Sequence, residues 1–227
     1  MKRALAWMAL VLGVGWFWNN APMVLYGKRT AGHVVDAGTG VPISGAHVAL
    51  LWESETVPNS FLSGGGRTVC VHAAAAVTDA QGAFDIAGWR EFSTYRVYMY
   101  NPVALVYARD YVPQQIQLDA DKGGGIIPHL SERYALVRFS GSAAERIQML
   151  FWGIANRGCM YGKESQKSLY PFMKAIYDEG RSIAETQDQR RTIRNIATMA
   201  ADAALAADMN SPYDEAAVQA FIKEHMQ

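Results

Sequence analysis

The 227-residue chain is poor in several things. It has two cysteines, which excludes a disulfide-dense miniprotein and a zinc site built from four thiolates. It has no excess of either charge: 21 Lys plus Arg face 21 Asp plus Glu. The balance holds locally as well, with 9 basic and 10 acidic groups in residues 26–140 and 10 and 11 in residues 141–227. A nucleic-acid partner is therefore not expected, because such partners demand a local basic excess. No cofactor motif is present. There is no G-x-S-x-G elbow. The stretch Gly158 to Lys163, GCMYGK, has three residues between its glycines where a phosphate-binding loop needs four, and Glu164 follows where Ser or Thr belongs. With half its residues hydrophobic, the chain can nonetheless bury a core without metal or cross-links.

One long apolar run is present, at the start. Lys2 and Arg3 precede an uncharged stretch of 15 residues, Ala4 to Trp18, which as a helix reaches roughly 22 Å. That length suits the hydrophobic region of an export signal. The uncharged stretch can continue through Asn19 and Asn20 to Tyr26, 23 residues in all, with Trp16, Trp18 and Tyr26 suited to a membrane interface. Residues 1–26 are therefore expected to be a signal peptide or membrane anchor. The expected location is the periplasm, with residues 4–26 held in the inner membrane; a cleaved, secreted form is the alternative.

From Tyr26 the pattern changes to period two. Thr30 to Val35 alternates, Asp36 to Pro42 supplies turn chemistry, and Ala46 to Trp52 makes a second strand. Arg67 to Thr78 is extended. Asp79-Ala80-Gln81-Gly82 is a tight turn into Ala83–Ile86, and further strands are expected at 95–100, 103–108 and 134–139. Residues 27–140 read as an antiparallel β-sandwich. Ser142-Ala143-Ala144-Glu145 is a capping box, and helices follow. The stripes are Ile147, Leu150, Phe151 and Ile154, then Phe172 to Ala184 after Pro171, then Ile193 to Ala207 after a Thr186/Gln189 box. A final helix is expected from Ser211-Pro212, with Tyr213, Ala217, Ala220 and Phe221 inward. Residues 141–227 thus read as a helical hairpin or small bundle, and the chain as α+β.

Three segments carry a resemblance: Gly32-His33-Val34-Val35-Asp36, then Thr39-Gly40-Val41-Pro42-Ile43-Ser44-Gly45-Ala46, then Thr78-Asp79-Ala80-Gln81-Gly82-Ala83-Phe84. Together they resemble the carboxypeptidase regulatory-like domain, a transthyretin-like β-sandwich, over roughly residues 28–140. The resemblance implies a fold and an accessory place in exported proteins, and it is nearly silent on activity. It also makes His129-Leu130-Ser131-Glu132 worth testing, since H-x-x-E is the first zinc motif of carboxypeptidases. Only His225 lies downstream, so an accidental match is expected. His33, His47 and His72 sit on three expected strands, with no spacing that makes them converge on a metal. Arg190, Arg191 and Arg194 share a helix with Glu185 and Asp188 close by, the pattern of a solvated face.

The two cysteines fall in different parts, Cys70 in the third strand region and Cys159 after the first helix. In an oxidising compartment an isolated pair tends to bond. A Cys70–Cys159 disulfide would stabilise the fold by about 4–5 kcal/mol in the chain-entropy model; two buried free thiols are the alternative. The expected function is non-catalytic binding or scaffolding in the bacterial envelope, with an envelope protein or ligand as partner. Two further readings stay open: an enzyme or enzyme accessory with a site at the sandwich–helix junction, and a periplasmic immunity-type protein.

Overall fold

The computed structural model describes residues 23–56, 68–93, 97–99, 102–118, 133–155, 164–205 and 214–226. Residues 1–22, His129, Glu132, Cys159 and the 158–163 stretch lie outside the described residues.

Ten strands are described, β1 Met23–Gly27, β2 Thr30–Asp36, β3 His47–Thr56, β4 Thr68–Val77, β5 Ala83–Ile86, β6 Trp89–Ser93, β7 Val97–Met99, β8 Val103–Tyr107, β9 Gln114–Gln117 and β10 Arg133–Leu136. They form a three-stranded sheet ordered β10-β2-β5, a five-stranded sheet ordered β4-β3-β8-β9 with β7 on the far end of β3, and a two-stranded ribbon of β1 and β6. Period-two alternation builds the layers. Val48, Leu50, Trp52, Ala104 and Val106 from the larger sheet meet Val34, Phe84, Ile86, Tyr134 and Leu136 from the smaller one in a single core. The intervening residues Ala49, Leu51, Val103, Leu105 and Tyr107 point the other way, into a second core shared with the helices. β8 is consequently buried at every position, as a strand covered on both faces must be.

The helical layer consists of α1 Ala143–Gln148, which runs on as a π-helix over Met149–Ile154, a 3-10 helix Glu164–Leu169, and then α2 Tyr170–Ile183, α3 Gln187–Leu205 and α4 Glu215–His225. The Ser142/Glu145 capping box forms in both directions. The Thr186/Gln189 box does too, with Gln189 accepting from the Thr186 amide at 3.0 Å and donating its own amide to Thr186 Oγ1 at 3.3 Å. Pro171 stands in the first turn of α2. Gly180 lets α2 and α3 approach closely, since a Cβ there would lie 2.3 Å from Ile193 Cδ1.

Three sequence expectations change. The sheets are antiparallel except where β10 pairs with β2 in parallel. The chain passes from β9 in one sheet to β10 in the other through 15 residues, and a connection of that length is free to deliver a strand in either direction. The stretch expected to run uncharged to Tyr26 is strand from Met23, and Leu25 is buried, so residues 23–26 belong to the folded body. The last helix is capped by Asp214, whose side chain accepts from the Ala217 amide. Val218 is its buried residue and Met226, just past its end, is buried too; Ala217 and Phe221 are half-buried, Ala220 is exposed, and Tyr213 lies outside the described residues.

The segments that carry the family resemblance meet in space. Val34 donates to Gly82 O and accepts from the Ile43 amide, at 2.8 and 2.9 Å. The Thr78 hydroxyl donates to Ile43 O at 2.7 Å and accepts from the Ala46 amide at 2.8 Å. Asp79 Oδ1 accepts from the amides of Gln81 and Ala83, closing the turn. Gly82 has φ +71°, and a Cβ there would sit 2.5 Å from Val34 O, so no other residue fits without moving the β2 backbone. Phe84, directly after this turn, stacks on Tyr134 at 5.8 Å between ring centroids. Phe84→Ala is expected to lower the unfolding free energy by about 3–5 kcal/mol, read by urea denaturation. A loss below about 1 kcal/mol would mean that this side chain does not hold the two sheets together.

Candidate functional site

Among the described residues, the densest polar chemistry lies where the sheets meet the helices, at the corner between β8 and β9. Asp110 takes φ +67° there, and the corner is tied to the segment after β10 by hydrogen bonds from Val112 N to Val137 O and from Phe139 N to Asp110 O. Arg146, in α1, reaches under this corner with a side chain only 3% exposed. Its Nε and Nη2 donate to Glu179 Oε1 and Oε2, both at 2.9 Å, in a two-point pair. Its Nη1 donates to Tyr111 O, and Nη2 also lies 3.3 Å from Ala108 O. The guanidinium carbon stands 5.3 Å from the centroid of the Phe139 ring. Glu179, on α2, takes a further hydrogen bond from the Tyr107 hydroxyl at 2.7 Å. Burial, and next the charge of Glu179, push the Tyr107 phenol well above its ordinary range.

Tyr111 carries the network outward. Its hydroxyl donates to Asp36 Oδ2 at 3.0 Å, and Arg138 Nε donates to the same oxygen at 3.1 Å. Asp36 Oδ1 accepts from the amides of Gly38 and Thr39, both at 2.9 Å. The hydrogen bond from the Thr39 amide does most to hold the Asp36 carboxyl down at about 2, with Tyr111 and Gly38 helping and desolvation opposing. The carboxylate thus ends β2 by wrapping the Asp36–Pro42 turn around itself, and it meets the corner that covers Arg146.

A second polar cluster lies under the β1–β6 ribbon. His72 Nδ1 is 2.8 Å from Glu91 Oε1, and the His72 ring stacks on Trp89 at 4.3 Å with Trp52 edge-on. This fixes the ribbon on the larger sheet rather than opening a cleft.

Among the described residues, the histidines and arginines singled out from the sequence do not converge. His33 is exposed on β2. His47 lies on the helix side of β3 beside Tyr107 and Phe172, where burial lowers its pKa. His72 belongs to the Trp89 cluster. Among the described residues no three His, Cys, Asp or Glu side chains are arranged to hold a metal. Arg190, Arg191 and Arg194 are exposed on α3. Cys70 is buried on the helix-facing side of β4. It faces that way because the β3–β4 register shifts between Trp52 and Glu53, pairing them with His72 and Cys70 and leaving Val71 as a bulge.

Sequence reasoning missed Arg146 and Glu179, although a signal was there. Arg146 stands four residues before Leu150, and Glu179 three after Ile176, so both sit at apolar-stripe positions. Opposite charges at such positions on two helices point to a buried pair.

Compared with known proteins, the chain matches no family model, no curated protein and no solved structure.

The Asp36 carboxyl is held below its unfolded value of 3.8, so its contribution is fully present above about pH 4 and is lost as the pH falls towards 2. Asp36→Asn is expected to lose less stability than the parent protein between pH 4 and pH 2, measured by denaturant titration at each pH. Equal losses in the two proteins would show that the carboxylate does not matter to acid unfolding.

Proposed function

We propose that the chain is an exported envelope protein of a Gram-negative bacterium, anchored in the inner membrane by its N-terminal segment. It works by binding or scaffolding rather than catalysis. On this reading residues 27–140 are a transthyretin-like sandwich of the carboxypeptidase regulatory-like kind. The motif segments support it: the Thr78 hydroxyl, the Asp79 turn and Gly82 are all used to join β2, β3 and β5, which is a structural use of those residues.

One observation carries the non-catalytic reading. The buried charges at the sandwich–helix junction bond to one another and to backbone carbonyls. Four of the five guanidinium N–H groups of Arg146 and both oxygens of Glu179 are engaged. A general acid or base needs a proton site open to substrate, and this pair is committed to holding layers together.

The Cys70–Cys159 disulfide belongs to the same proposal. The 3-10 helix Glu164–Leu169 lies on β4, with Ser168 Oγ donating to Ala73 O at 3.1 Å. Four residues lie between Cys159 and Glu164, so the chain can reach up to ~17 Å from the start of a helix that already rests on the strand carrying Cys70.

The test uses protein expressed with its own N-terminus and recovered from the envelope fraction. It is expected to show no free thiol when unfolded without reductant, and no stoichiometric zinc. Two thiols per chain, or recovery in the cytosol alone, would contradict the export reading. One zinc per chain, lost in both His129→Ala and Glu132→Ala, would make the protein an enzyme candidate.

A further inference from the structure

The β1–β6 ribbon has two faces of opposite character. On the inner face Leu25 packs with Val71 and Trp89 against the larger sheet, and Glu91, paired in register with Leu25, reaches His72. The outer face is made of two cross-strand pairs, Val24 with Phe92 and Tyr26 with Arg90. Val24 is 42% exposed, Tyr26 41% and Phe92 77%. Arg90 is exposed as well, and Lys28 and Arg29 follow at the end of β1. The nearby acid, Asp85, is occupied by Arg29, and Glu91 points to the inner face.

We propose that this outer face rests on the anionic surface of a phospholipid bilayer. Phe92 and Val24 lie at the boundary of the acyl region, and Tyr26 and Arg90 lie among the headgroups. The inference rests on the reading of the N-terminal segment as a membrane anchor. Residues 4–22 contain no charged side chain and lead directly into β1. As a helix these 19 residues measure ~28 Å, close to the hydrocarbon thickness of about 30 Å. At ~3.3 Å per residue, Val24 stands at most about 7 Å beyond the end of that segment and Tyr26 at most about 13 Å, less where the strand runs along the surface. The headgroup layer is roughly 5–8 Å deep on each side. Val24 and Phe92 therefore cannot be far from the bilayer, whichever way the strand leaves it.

The order of the two pairs fits the polarity gradient. The wholly apolar pair is nearer the segment, and the aromatic–cationic pair is one step further out. Aromatic rings and Arg or Lys side chains are the groups that favour the interface, and the cations gain from anionic lipid. Docked in this way, the ribbon fixes the tilt of the sandwich on the membrane instead of leaving it on a tether.

The test places 4-trifluoromethylphenylalanine at position 92 of the full chain in vesicles of phosphatidylcholine and phosphatidylglycerol. The same residue at position 41 serves as control, since Val41 is exposed at the far end of β2 from the ribbon. Fluorine relaxation is read with a headgroup-nitroxide lipid and with a water-soluble nickel chelate. At position 92 the nitroxide lipid is expected to act several-fold more strongly than at position 41, and the nickel chelate several-fold more weakly. Equal nickel access at both positions, in protein that still floats with the vesicles, would overturn the docking and leave the anchor standing. Failure to float would overturn both. Shielding of position 92 from both reagents would mean that protein covers the face, whether a second copy or the chain's own N-terminal segment, and would also overturn the proposal.

Discussion

A guanidinium carried into a protein interior without a partner costs several kcal/mol, and so does a lone carboxylate. Arg146 and Glu179 stand on different helices, and neither can be buried unless the other arrives in register. Their two-point contact therefore fixes how α1 sits against α2. The other bonds extend the constraint across the layer boundary: Tyr107 in β8 donates to Glu179, and the carbonyls of Ala108 and Tyr111 receive Arg146. Apolar packing between helices and sheet is non-directional and tolerates sliding. The ion pair does not. It converts contact between the two layers into a defined docking, at a place where the sheet would otherwise present bare carbonyls at a corner.

The same corner reaches the outer sheet through the Tyr111 hydroxyl and Asp36. A chain of polar contacts thus runs from the Asp36–Pro42 turn through the β8–β9 corner to α1, α2 and back to β8. Each link is short-range, but together they join all three layers. The ribbon is held separately, by Leu25, Val71 and the His72–Trp89 stack, and this leaves its outer face to be used elsewhere.

Local rules made much of this legible. Period-two alternation located β2, turn residues bounded β3 and β5, extended apolar runs marked β4 and β8, and the two capping boxes located the starts of α1 and α3, because these signals depend on neighbours in sequence. Turn chemistry at Asp36–Pro42 and Asp79–Gly82 was readable for the same reason. The ribbon was not. Met23–Gly27 continues an uncharged run, and its pairing with Trp89–Ser93 depends on contacts more than 60 residues apart. The bulge at Val71, which turns Cys70 to the helices, is equally invisible, since nothing in a run of small and apolar residues marks a register shift. The parallel approach of β10 depends on how a connecting segment crosses between sheets. The junction network was half visible: the charges at stripe positions could be seen, but only the fold shows that they meet.

The account makes the Arg146–Glu179 pair the clasp between layers, and a double-mutant cycle tests this most directly. Arg146→Met and Glu179→Leu are each expected to cost about 3–5 kcal/mol, because each leaves one buried charge unmatched. The double variant should cost far less than the sum of the two, since it removes both charges and keeps the apolar volume. Single costs below about 1 kcal/mol, or costs that simply add, would show that the two layers are held by apolar packing alone.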